Sequence, residues 1–383
     1  MSGFSVTGLP PDVRIAIVGA HGAVGRATVR QFRQWGVDRL KLGVRRARPE
    51  HDEPWTEGDS VHVVDATDPA SLRVFLEDVD CVVNCTGPAG RIGTTVIEAA
   101  LAQGVHAVDV NGSRAALGRL QPSHAEVRGV LACGMTPGLS AALPMWAAQL
   151  AVSAGMEVGG LLLLMGGRDP IGHTAALDIV QAARERRSRA SPGPAAADGK
   201  DGVVLLPDAA AVESFDSSME TLASYDDEEL QDLRRLLPGC RIAAWAVHAG
   251  PASRRAMVQA ALSDADLRQA AHRVVAASEA DCAGRSRFQQ LLVDVLVRDQ
   301  QGHRPASRLL VRATDASALT AAALAVATRA VVTGRTPPGK HLGAEVLSTR
   351  QSVEELAGCR GVLDVVFGAH TMGADAAVDE GVL

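Results

Sequence analysis

Between residues 13 and 135, short apolar runs alternate with stretches of about ten residues that carry helical patterning, and this rhythm constrains the fold most. Strands are expected at 13–18, 40–44, 61–64, 81–84, 107–110 and 129–133, with helices at 23–35, 69–77 and 93–103. Short, almost wholly apolar strands joined by helical crossovers must lie parallel and be covered on both faces. The expectation is α/β: a Rossmann-type, doubly wound parallel sheet.

Beyond the segment MTPGLS (135–140) the rhythm changes. A helix is expected at 140–153, a strand at 158–165 and a helix at 174–187, then a stretch of linker composition, SRASPGPAAADGKDG, at 188–202. Strands follow at 241–248, 291–298 and 307–313, the last two joined through a hairpin turn at DQQGHR (299–304). This predicts a second α+β domain built on a mixed sheet. The expected division is 1–135 for the Rossmann domain and 136–315 for a substrate and oligomerisation domain. The remaining 316–383 is expected to pack back on the Rossmann domain.

The run IAIVGAHGAVGR places Gly19, Gly22 and Gly25 between the first strand and the first helix. With 38 glycines in 383 residues, that spacing arises by chance about 0.4 times in such a chain, so the spacing alone decides nothing. Its position, directly after an apolar run and at the opening of a helix, is what points to a pyrophosphate cradle. The glycines allow a tight turn, close approach of the backbone and close helix–strand packing. Free amides at the start of the helix, in the turn Gly19, His21, Gly22, Ala23, Val24 and Gly25, favour an anion.

The end of the second strand distinguishes the two nicotinamide nucleotides. An acidic residue there suits a ribose 2′-hydroxyl, but LKLGVRRARPE supplies Arg45 and Arg46. Guanidinium groups pair with phosphate, so NADP is the expected cofactor, with NADPH preferred over NADH. A solvated basic turn is the alternative. Further strand ends point to the same crevice. Asp65 and Ala66 close the third strand, and Asn84, Cys85, Thr86, Gly87 and Pro88 close the fourth. Asn111 follows the fifth, and these two asparagines are the only ones in the chain. Asparagine is also an ordinary turn former.

The segments GAHGAVGR, DVDCVVNCTGPAGRIGTTVIEAALAQGVHAVDVNGS and ACGMTPGLS resemble the saccharopine dehydrogenase-like NAD(P)-dependent reductases. The resemblance is strongest over 13–140, and GGRDPIGHTAALDIV and TGRTPPGKHLGAEVL extend it more weakly. It implies a Rossmann domain, an α/β domain whose sheet covers the nicotinamide, and hydride transfer at a carbon–nitrogen bond. By position, the three glycines would hold pyrophosphate and Arg45 the 2′-phosphate, while Asn84 to Pro88 would line the nicotinamide. Asn111 stands where such proteins often carry an apolar residue or Thr.

Composition narrows the chemistry. The formal charge of −6 argues against nucleic acid or an anionic membrane as partner. The N-terminal MSGFSVTGLPPDVR has no pattern of a secretory signal, and 317–332 reads as a buried Ala-rich helix, so a cytoplasmic location is expected. The six cysteines have no metal spacing, and no metal site is expected. Tyr225 is the only tyrosine and is followed by Asp-Asp-Glu-Glu, which removes the Tyr-x-x-x-Lys arrangement of short-chain dehydrogenases. His173 is the expected acid/base, oriented by Asp169 or Asp178, with Arg91 and Arg168 as clamps for a substrate carboxylate. Lys340 and His341 are expected to face solvent.

The expected function is NADPH-dependent reduction of an imine in a small, carboxylate-bearing substrate, by a homodimer. The alternatives are reduction of an activated C=C bond on a carrier- or lipid-linked intermediate, and NADPH sensing without turnover.

Overall fold

The computed structural model describes residues 8–46, 54–121, 124–188, 205–216, 220–225, 227–299 and 302–369. The linker-like stretch at 188–202 lies outside these after its first residue. The strands are β1 Ile15–Val18, β2 Leu40–Val44, β3 Ser60–Val63, β4 Cys81–Asn84, β5 His106–Asp109, β6 Arg128–Leu131, β7 Val158–Arg168, β8 Glu220–Tyr225, β9 Arg241–His248, β10 Phe288–Asp299, β11 Gly302–Ala313, β12 Gly339–Leu342 and β13 Val362–Ala369.

The described residues fall into two units, those within 1–142 and 317–361 and those within 143–316 and 362–383. In the first, seven strands run in the order β12-β6-β5-β4-β1-β2-β3, every pairing parallel. Outward from β1 in both directions, this is the strand order 3-2-1-4-5-6 of a dinucleotide-binding sheet, extended by β12. All four residues of β1 and of β4 are buried, as central strands of a covered parallel sheet must be. The helix Ala23–Gln34 presents Gly25, Thr28, Val29, Gln31 and Phe32 to the interior, a stripe at helical spacing. Pro69–Phe75 begins where the Asp68 side chain accepts the N–H groups of Ala70 and Ser71, with proline in the first turn.

The second unit is a six-stranded mixed sheet in the order β13-β11-β10-β7-β9-β8. Only β7 and β9 pair in parallel; the long β10–β11 hairpin is antiparallel. Ala176, Val180, Ala260, Ala270, Ala271 and Val274 form a core among helices His173–Ser188, Pro251–Leu262 and Leu267–Cys282. Small alanines let these helices approach closely.

Two boundaries differ from the sequence expectation. The first unit runs to Ala142 rather than 135, so the division falls inside the helix Leu139–Ser153. The segment 316–383 does not act as one piece. Its β12 extends the parallel sheet beside β6, but β13 pairs antiparallel with β11 in the other sheet. The run VLDVVF satisfies its backbone groups on the open edge of β11 from Ser307 to Ala313.

Candidate functional site: the carboxyl ends of β1, β4 and β5

The glycine turn follows β1 directly. Gly19 adopts φ +87° and both its N–H and that of Ala20 donate to Gly43 O, at 2.9 and 3.1 Å. A Cβ on Gly19 would lie 2.8 Å from Thr86 Cγ2, and one on Gly25 would lie 2.2 Å from Gly19 O. Gly19 thus gives the left-handed turn and Gly25 the contact of helix on strand. Gly22 is the N-cap of Ala23–Gln34 in extended conformation; no side chain caps the helix and its first turn has no acidic residue. Amides left uncapped at a helix start, on a backbone no side chain can crowd, fit a pyrophosphate.

His21, in the same turn, lies against Trp55 with the rings tilted and their centroids 4.8 Å apart. Arg45 and Arg46 are exposed just past the carboxyl end of β2, and among the described residues neither forms an ion pair. Asp65, past β3, is exposed; its carboxylate accepts Thr67 N–H at 2.9 Å and Thr67 Oγ1–H at 2.7 Å. Those bonds hold it below the usual carboxylate range, with a smaller contribution from the Arg91 guanidinium. Ala66 is half-buried against the core of the unit. Arg91 is exposed on the short helix Ala89–Ile92 that follows Pro88.

The two asparagines belong to a network centred on a residue that the sequence did not single out, Asp109. It is the last residue of β5 and wholly buried. Asn84 Nδ2 donates to Asp109 Oδ2 at 2.9 Å, and Asn111 N–H donates to Asp109 Oδ1 at 2.8 Å. Asn84 Oδ1 accepts Thr86 N–H at 3.0 Å and Thr86 Oγ1–H at 2.6 Å. Asn111 Nδ2 donates to Thr86 O at 2.7 Å. Thr86 is gripped on both sides of its backbone, on the loop that presses on Gly19. Burial pushes the Asp109 carboxyl up to about 7, against the opposing pull of the Asn84 and Asn111 donors. Cys85 is engaged by Thr28 Oγ1 at 3.6 Å, and burial pushes its thiol up to about 12, so it is a neutral group.

In the second unit, His173 is exposed at the start of its helix, its ring 4.4 Å from that of His272. No hydrogen bond or ion pair joins it to Asp169. The Asp169 carboxylate accepts the N–H of Ala316 at 2.9 Å, capping the helix Ala316–Val332, and burial raises its pKa. Arg168 pairs with Asp216 and lies over the Phe288 ring, 5.5 Å from its centroid. Lys340 and His341 do not simply face solvent. Lys340 Nζ donates to Leu120 O at 3.0 Å, and His341 is half-buried beside Glu345 at 3.6 Å.

Among the described residues no three His, Cys, Asp or Glu side chains gather in a way that holds a metal ion, and no helix is long and apolar enough to cross a membrane.

These features define a Rossmann-type unit with a candidate nucleotide site, and a mixed-sheet unit. Residues 19–127 match a family model described as NAD(P)H-binding. No curated protein matches the chain. Among solved structures, the fold is similar to that of apo saccharopine dehydrogenase (L-Glu forming) from Saccharomyces cerevisiae. The TM-score is 0.62 at 13% identity, over 94% of this chain and 100% of that one. A meso-dapdh mutant from Clostridium tetani E88 covers 90% of this chain and 99% of its own at TM-score 0.45 and 14% identity. Uronate dehydrogenase from Agrobacterium tumefaciens aligns over 26% of this chain and 41% of its own, at TM-score 0.22 and 18% identity. The architecture is saccharopine dehydrogenase-like, as the sequence resemblance implies.

Proposed function

We propose that the chain is an NAD(P)-dependent oxidoreductase that prefers NADPH and reduces an imine in a small, carboxylate-bearing substrate. The observation that carries the nucleotide part is the turn in which Gly19, Gly22 and Gly25 leave helix amides uncapped at the centre of a 3-2-1-4-5-6 sheet. A dinucleotide bound there supplies the hydride; the protein holds, orients and shields. In this reading the amides of Ala23 and Val24 bind pyrophosphate, Arg45 and Arg46 take the 2′-phosphate, and Asp65 with Ala66 borders the adenine. The loop Asn84 to Pro88 lines the nicotinamide end.

For the substrate, the proposal keeps His173 as the group that manages a proton and Arg168 and Arg91 as anion-binding candidates. Asp169 is left out, because its carboxylate is committed to the Ala316 amide. An iminium already carries its proton, so the larger demand on the protein is orientation. The imine assignment rests on the resemblance to saccharopine dehydrogenase-like reductases, supported by the similarity of fold.

The test is nucleotide titration followed by turnover. NADPH should bind at least tenfold more tightly than NADH, and mixtures of keto acids with amines should oxidise it, read as loss of nicotinamide absorbance. Turnover only with unsaturated thioesters would favour C=C reduction instead, and tight binding with no turnover on any substrate would favour sensing.

A further inference from the structure

The Asp109 network does more than fill space, and its geometry is directional. Thr86 N–H can only donate, so Asn84 must turn Oδ1 toward Thr86 and Nδ2 toward Asp109. On the other side, Asn111 presents its backbone N–H to Asp109 and its side-chain amide to Thr86 O. Both oxygens of Asp109 therefore face donors. A carboxylate satisfies that arrangement. A carboxylic acid satisfies it less well, since protonation weakens both oxygens as acceptors and adds an O–H that needs an acceptor of its own. Both arms end on Thr86, whose methyl lies 2.8 Å from the Cβ position of Gly19.

Resting on the nucleotide-binding reading above, we propose that Asp109 is a positioning residue whose ionised form, acting through Asn84 and Asn111, holds Thr86 against the glycine turn, so that dinucleotide binding is coupled to loss of one buried proton. With its carboxyl raised to about 7 by burial, both forms are populated near neutral pH. The titratable neighbour is Cys85, neutral throughout this range because burial raises its thiol to about 12; His21 is a separate titratable group in the glycine turn, and it is unchanged in Asp109→Asn, whose profile therefore separates the two. Since binding selects the ionised form, affinity rises with pH and binding releases a proton.

The experiment titrates the full chain with NADH, which lacks the ionisable 2′-phosphate of NADPH, from pH 5.5 to 8.5. Wild type should gain roughly thirtyfold in affinity across that range, as the loss of one proton from a group near 7 requires. Asp109→Asn, which places a donor where an acceptor is needed, should bind weakly with a flat profile. A merely structural role for Asp109 would lower affinity without flattening the profile, and that result overturns the proposal. Should Asp109→Asn fail to fold, calorimetry of wild type in two buffers of different ionisation enthalpy decides the matter. Proton release on NADH binding near pH 7 supports the coupling, and none overturns it. Binding with a flat wild-type profile sinks the coupling alone, whereas no binding of NADH or NADPH at any pH sinks the nucleotide reading with it.

Discussion

The Cβ position of Gly25 lies 2.2 Å from the carbonyl oxygen of Gly19. It also lies 2.8 Å from Ala20 Cα, so both close neighbours are backbone and cannot swing aside. Gly25→Ala must push the helix Ala23–Gln34 off β1. The expected cost is about 1–3 kcal/mol of stability together with at least a tenfold loss of NADPH affinity, because the helix amides move. Gly22→Ala, whose Cβ would sit 3.2 Å from Gly19 O, should be much milder. Thermal melts and nucleotide titrations of the two variants check the order; equal effects would refute this account of the motif.

Arg45 and Arg46 carry the NADPH preference in the proposed function. Each charge-assisted hydrogen bond to phosphate is worth about 1.5–3 kcal/mol, so the double variant Arg45→Ala/Arg46→Ala should reduce the NADPH over NADH ratio by tenfold or more. Both side chains are exposed, so the melting temperature should hold. An unchanged ratio assigns the preference elsewhere.

The legible parts of this molecule were those where burial acts on a whole run. β1, β2 and β4 read as strands because nearly every residue in them is buried, and a run of buried apolar side chains leaves a plain trace. The glycine turn was legible because close backbone approach admits no other residue at Gly25. β12 was not: its four residues, Gly-Lys-His-Leu, pair only with β6 at the sheet edge, and Lys340 Nζ donates to the backbone carbonyls of Gly118 and Leu120. Asp109 was missed because one acidic residue closing an apolar run looks like the start of a turn. The usable signal was its place at a strand end two residues before Asn111, while the chain's other asparagine, Asn84, closes another apolar run. Asn84 and Asn111 were expected to meet cofactor directly, whereas their side-chain amides are engaged within the protein. The expected Asp169–His173 pair failed as a contact because a capping bond to Ala316, far away in sequence, is invisible to spacing.

Trp55 reports on the glycine turn through its contact with His21, 4.8 Å between ring centroids. The chain has four tryptophans, and Trp55 is the one whose ring lies against that turn. Nucleotide binding should change the emission of wild type, and Trp55→Phe should lose most of that change while binding with affinity within a few-fold of wild type. A full signal in the variant would place the responding tryptophan elsewhere.

Glu355 joins two guanidinium groups inside the first unit. Its carboxylate lies 3.2 Å from Arg329 Nε and 3.0 Å from an Arg335 terminal nitrogen, and the buried Arg329 lies 3.8 Å from the Trp35 ring centroid. Removing one partner of a buried pair strands the other charge, at a cost of about 3–5 kcal/mol. Glu355→Gln should therefore lower the melting temperature substantially, and Arg335→Ala much less, because Arg335 is more exposed and Arg329 keeps its partner. Chemical denaturation of both variants measures the difference, and equal losses would contradict the assignment of Arg329 as the buried charge.

His341 and Glu345 make stability depend on pH with a defined sign. The close approach of Glu345, 3.6 Å away, is the main reason His341 lies above its ordinary value, and the same approach is the main reason Glu345 lies below its own. A raised histidine adds stability that is complete below the ordinary value of about 6.5 and is lost as pH rises through the raised one. A lowered glutamate adds stability that is complete above about 4.3 and is lost as pH falls through the depressed one. The pair therefore contributes most between those two ordinary values. His341→Gln should remove that contribution, so the difference in unfolding free energy between wild type and variant should be largest near pH 5.5 and shrink toward pH 8. Denaturant melts at pH 4, 5.5 and 8 read this directly. A difference that is constant over the three would show that His341 acts by packing alone, without the Glu345 charge.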